Sequence, residues 1–106
     1  MIVDPFITLG ECSSVLVAAG ELDISATCWL GEATSQAAET SPDLTLDLSA
    51  VTFMDCAALG TLLRTRRELR RRGGVLTLRS PHRSVLTLLR LTSLENAFPI
   101  VGMLPA

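Results

Sequence analysis

Residues 44–78 constrain the fold more than any other stretch. Leu44, Leu46 and Leu48 alternate with Thr45 and Asp47, the period-two pattern of a strand whose two faces differ. Asp55 then offers a helix N-cap. Leu59, Leu62, Leu63 and Leu69 recur as an apolar helical stripe, and Gly73-Gly74 closes the helix. Residues 75–78 form a second strand. Strand, helix and strand in that order predict two parallel strands of one sheet joined by a right-handed crossover.

The flanking sequence extends the same plan. Residues 6–9 and 15–19 are apolar and are separated by the turn-like Gly-Glu-Cys-Ser-Ser, which reads as a hairpin or a pair of adjacent strands. Residues 24–39 place Ile24, Cys28, Leu30 and Ala33 near helical spacing, with Asp23 or Ser25 as cap. The stretch 40–43 breaks that helix. Ser80-Pro81 makes a turn, residues 84–91 a third helix carrying Val85, Leu86, Leu88 and Leu89, and residues 98–101 a last strand. The order β-β-α-β-α-β-α-β predicts an α/β fold, a mixed, mainly parallel sheet with helices packed on it.

At 106 residues the chain supports one domain, 1–106. Its 48% apolar and 19% charged content excludes a disordered chain. No apolar run approaches the ~18 residues of a membrane span. The first ten residues lack a basic segment of the secretory kind, so a cytoplasmic domain without membrane insertion is expected. Cys12, Cys28 and Cys56 are odd in number and without CxxC spacing, and His82 is the one histidine. The expectation is buried or half-buried free thiols, with no metal site and no cofactor.

Charge is segregated along the chain. Residues 1–55 hold nine acids and no base; residues 56–106 hold all nine arginines and two acids, Glu68 and Glu95. Arg64, Arg66, Arg67, Arg70, Arg71 and Arg72 crowd one helix end. At 100° per residue they surround the helix, with the stems of Arg66 and Arg70 near the leucine face. Positive charge suits a helix C-terminus, so a structural and solubility role leads, followed by an acidic protein partner. Nucleic acid is disfavoured because no aromatic platform accompanies the arginines.

Catalytic signatures are missing. His82 follows a proline in a turn, and there is no G-x-S-x-G elbow, phosphate-binding loop or dinucleotide fingerprint. An enzyme is not expected. The distinctive segment is residues 51–60 (VTFMDCAALG), where a strand end meets an Asp cap and then small residues. Small side chains leave that helix start open to a partner or an anion.

The segment 53–74 (FMDCAALGTLLRTRRELRRRGG) resembles, and aligns without gaps with, the pattern F-[IVM]-D-S-[ST]-G-L-G, helix, G-G of the STAS domains, the fold of bacterial anti-sigma-factor antagonists. Gly20-Glu21-Leu22-Asp23 is similar to the family's G-x-[LIV]-D. Residues 44–51 (LTLDLSAV) resemble its strand ending in D-L-S-x-[VL], and Ser80-Pro81 with residues 88–94 resembles its S-P…L-x-L-[ST]-G-L. The resemblance covers about residues 6–101.

It implies a transcription-regulating protein that binds an anti-sigma factor, a GHKL-type serine kinase, and so controls sigma-factor availability. It implies contacts at Asp23, Ser25, Asp55, Cys56, Ala57 and Leu59. In the family the residue after the Asp is the phosphorylated serine; here it is Cys56, followed by Ala57, with Ala58 at the glycine position. Ser49, Thr52 and Thr61 are hydroxyls nearby, none at the matching place. The alternative is a STAS scaffold subunit of a lipid-transport or other signalling complex.

Overall fold

The computed structural model describes residues 2–6 and 13–102. Its elements are β1 (Ile2–Phe6), β2 (Ser13–Leu22), a 3-10 turn (Ile24–Ala26), α1 (Thr27–Thr40), β3 (Asp43–Met54), α2 (Cys56–Arg71), β4 (Leu76–Arg79), α3 (Arg83–Leu91) and β5 (Ile100–Val101). The sheet runs β1-β2-β3-β4-β5, with β1 antiparallel to β2 and every later pair parallel. This is the α/β domain that the leucine alternation predicts.

Register explains the core. Leu16, Leu46, Leu78 and Ile100 lie opposite one another across four strands, and the three leucines of that row are fully buried. Leu30 of α1, Ala58, Leu59, Leu62 and Leu69 of α2, and Val85 and Leu89 of α3 join them in one cluster. The neighbouring row is Val17, Asp47, Arg79 and Val101. There the Arg79 guanidinium donates twice to Asp47 Oδ2, at 3.0 and 2.6 Å. Partial burial works against the charge on Asp47. Hydrogen bonds from the Ser49 N–H and hydroxyl, together with Arg79, outweigh it and hold the carboxyl below its ordinary range.

Several expectations shift. The first strand occupies Ile2–Phe6 instead of 6–9, because Ile2 through Phe6 pair with Ala19 through Val15. Pro5 is tolerated there since β1 is an edge strand. Residues 7–9, the turn at 10–12 and Cys12 lie outside the described residues. β2 and β3 outrun their apolar stretches because each is hydrogen-bonded on both sides.

Ahead of α1, Asp23 caps a 3-10 turn. The helix then buries Leu30, Thr34, Ala37 and Ala38, while Ile24 is 72% exposed. Cys28 and Cys56 are free and exposed, not buried. In α2, Ala58 and Thr61 are buried where the stripe had placed Leu63, which is only half-buried. The last strand shortens to two residues, and Phe98 is instead a buried core plug (3% exposed) before it.

Two close contacts set the helix ends. Gly73 takes a positive φ of 80° after α2, with its N–H on Arg70 O. A Cβ on Gly74 would stand 1.9 Å from the Pro42 carbonyl oxygen, so only glycine fits there. Between α1 and α2 the buried Thr34 hydroxyl bonds Leu30 O at 2.9 Å and the Thr65 hydroxyl at 3.1 Å.

Candidate functional site

β2 and β3 end together. Leu22 pairs with Met54, and the Asp55 N–H donates to Leu22 O at 3.0 Å. The next residue on each strand is an aspartate in extended backbone, Asp23 (φ -112°) and Asp55 (φ -104°). Extended backbone is what an N-cap needs, because it turns the side chain back onto the helix's first N–H groups. Asp23 Oδ1 accepts from the Ser25 N–H at 3.0 Å and from its hydroxyl at 2.5 Å. Asp55 Oδ1 accepts from the Ala58 N–H at 3.0 Å. The C-terminal edge of a parallel sheet, where such caps gather, is the usual docking edge of α/β domains.

Five of the six contact residues implied by the sequence share this edge. Ser25 and Cys56 are exposed, and Asp23, Asp55 and Ala57 are half-buried. Leu59 does not share it. It is 3% exposed, because the third residue after Cys56 in the helix turns back onto the sheet, so it supports the edge from the core and presents nothing to a partner.

Two residues the sequence reading missed belong here. Ile24 follows Asp23, and Phe53, 46% exposed, precedes Met54 at the end of β3. Ile24 had been counted with the core face of the first helix. The signal for its exposure was Asp23 itself, since a capping Asp places the next residue in the first turn, before the helical phase is set. Two exposed large apolar groups thus lie beside the two capping carboxylates. The neighbouring helix contributes a tie: the Ser84 hydroxyl, in the first turn of α3, donates to Thr52 O at 3.0 Å. His82 caps that helix, its Nδ1 accepting from the Ser84 N–H at 3.3 Å.

Among the described residues no three His, Cys, Asp or Glu side chains gather where they could hold a metal ion. No helix among them is long and apolar enough to cross a membrane. Cys56 opens α2 with its thiol outside and the partial positive charge of the helix N-terminus beneath it. A phosphate on a hydroxyl at this place would add about two negative charges next to Asp55.

The arginine run divides by partner. Arg71 and Arg72 pair with Glu68 at 3.5 and 3.3 Å, and Arg72 also caps α1 through Ala38 O. Arg64 donates to the Thr61 hydroxyl, and Arg66 to Ala97 O. Arg66 and Arg72 thus tie α2 to a loop and to the end of α1, while Arg64 and Arg71 bond within α2 itself.

The STAS domain family model matches residues 8–103. An anti-sigma factor antagonist from Mycobacterium paratuberculosis superposes with a TM-score of 0.80 at 26% identity, over 97% of this chain and 88% of that one. The Bacillus cell fate determinant SpoIIAA in its phosphorylated form superposes with a TM-score of 0.73 at 20% identity, over 93% and 90%. A sulfate transporter family protein from Wolinella succinogenes superposes with a TM-score of 0.74 at 15% identity, over 87% and 78%. The last two likenesses bear on the fold alone. Among curated proteins, no sequence match was found.

Proposed function

Because this chain belongs to the STAS domain family, we propose that it is an anti-sigma-factor antagonist that binds an anti-sigma factor of the GHKL serine-kinase type, and so controls sigma-factor availability in the cytoplasm. The observation that carries this reading is the paired edge. Asp23 and Asp55 cap neighbouring helices side by side, with Ser25, Cys56 and Ala57 on the rim and Ile24 and Phe53 as apolar contacts. The 26% identity to an antagonist over nearly the whole chain supports it.

Cys56 stands where the family's phosphorylated serine stands, and a thiol is not a serine-kinase substrate. Docking then continues without the serine off-switch. The thiol leaves two states open to this protein: a constitutive binder, or one released when the exposed sulfur is oxidised.

Affinity capture on the intact chain from its native cell, with and without reductant, tests the reading. The expected catch is a GHKL-type kinase, lost when Asp55→Lys or Phe53→Asp alters the edge. Capture of a membrane transport ATPase through the same edge would assign the chain to a transport complex and overturn the antagonist reading.

A further inference from the structure

The arginines left over by the fold share one place. Leu63, Arg66, Arg67 and Arg70 follow one another at helical spacing along one face of α2 and line a cleft of about 310 Å³. The Arg67 and Arg70 side chains make no hydrogen bond or ion pair with a described residue. Arg66 uses its Nε on Ala97 O, which fixes the stem and leaves its two terminal nitrogens without a partner among the described residues. Among the described residues no carboxylate lines the cleft, and the nearby Glu68 is engaged with Arg71 and Arg72. Like charges three and four residues apart on a helix repel, so this arrangement lacks its counter-charge.

We infer that the cleft of Leu63, Arg66, Arg67 and Arg70 is a second docking site, whose occupant is an acidic peptide segment of a protein partner carrying an apolar side chain between carboxylates. Guanidinium forks engage carboxylates bidentately, and Leu63 offers a partly buried apolar contact that a bare inorganic anion does not need. Concavity disfavours a flat bilayer, and among the described residues no aromatic side chain lines the cleft to stack a base. Along α2 the cleft lies about 10–21 Å from Cys56, at 1.5 Å per residue. It is therefore separate from the paired-cap edge and does not depend on the antagonist reading.

The test uses the full chain and two short fluorescein-labelled peptides, one alternating glutamate pairs with leucine and one with glutamine in place of every glutamate. Anisotropy at physiological ionic strength should show the glutamate peptide binding about tenfold or more tightly than its neutral counterpart. Arg67→Gln with Arg70→Gln should abolish that preference. Arg71→Gln, outside the cleft and removing one positive charge where the pair removes two, should keep it. The lysine pair Arg67→Lys with Arg70→Lys should retain only part, having charge without the fork. Melting temperatures of all variants should stay close together, since the Arg67 and Arg70 side chains support no described contact and Arg71 makes only an exposed pair with Glu68. Equal binding of both peptides overturns the proposal, and so does a loss with Arg71→Gln as large as with the pair. Tighter binding of a single-stranded oligonucleotide or of phosphatidylglycerol vesicles than of the glutamate peptide also overturns it.

Discussion

The backbone N–H of Asp55 lies 3.0 Å from the carbonyl oxygen of Leu22. This bond carries the β2–β3 ladder one step past the strand ends, and it stands Asp55 next to Asp23. Two helices thus start from adjacent points, each with its own carboxylate turned onto its first N–H groups. The proposed docking edge and the fold share the same residues, so perturbations here must be read for both stability and binding.

Asp55→Ala removes the acceptor for the Ala58 N–H. The expected loss is about 1 kcal/mol, the usual cost of an N-cap, read by urea denaturation with an unchanged slope. Asp55→Asn keeps the acceptor and should restore most of it. Equal losses for the two would mean that charge, not the cap bond, stabilises α2.

Leu62 is fully buried between α2 and the sheet. Leu62→Ala should cost ~2–5 kcal/mol through lost transfer energy and the cavity left behind. Leu63→Ala, at a half-buried position, should cost clearly less. Chemical denaturation of both checks the assignment of the helix face.

The two glycines Gly60 and Gly74 should respond in opposite directions. A Cβ at Gly60, inside α2, meets nothing within 4 Å, so Gly60→Ala should stabilise by about 0.8–1 kcal/mol through helix propensity. Gly74→Ala drives a methyl into the Pro42 backbone and should destabilise by ~2 kcal/mol or more. Thermal melts of the pair report both signs.

Asp47 makes a pH-dependent contribution. Its folded-state value is lowered from the ordinary one of about 3.9. The ionised carboxyl therefore stabilises the fold in full above that value, and the contribution is lost as pH falls through the lowered folded value. Asp47→Asn should cost about 1 kcal/mol at neutral pH. The gap to wild type should close as pH drops below about 4. A gap that stays constant down to pH 2 would show that the side chain's shape matters rather than its charge.

Cys56 tests the switch. Incubated with ATP and a cognate anti-sigma kinase, the wild type should gain no phosphate at residue 56 and remain bound. Cys56→Ser should accept one there, and Cys56→Asp should bind more weakly at an unchanged melting temperature, because the side chain is exposed. Intact mass, affinity and melting on the same samples decide it. Phosphate on Thr52 that releases the partner would place the switch elsewhere. Release on mild oxidation, reversed by reductant and absent in Cys56→Ser, would make the thiol the switch.

What the sequence determined by itself is local. Leu44, Leu46 and Leu48 in alternation, the Asp55 cap, the stripe of Leu59, Leu62 and Leu69, and the stop at Gly73-Gly74 are short-range patterns. Together they forced a β-α-β unit and hence a mainly parallel sheet. The position of Cys56 at the helix start was equally legible, since a cap and the residue after it are neighbours in the chain. Tertiary structure decided which way side chains turn and which charges find partners. Ile24 faces solvent because a 3-10 turn precedes α1 and shifts the helical phase. Leu59 belongs to the core because the sheet lies on its side of α2. The six clustered arginines read alike in sequence. Glu68, Ala38 O, Thr61 and Ala97 O engage four of them and leave the Arg67 and Arg70 guanidiniums exposed, without a partner among the described residues. Periodicity reports what each residue's immediate neighbours impose. The choice among equivalent side chains is made by contacts up to 34 positions away in the chain, and no local pattern encodes those.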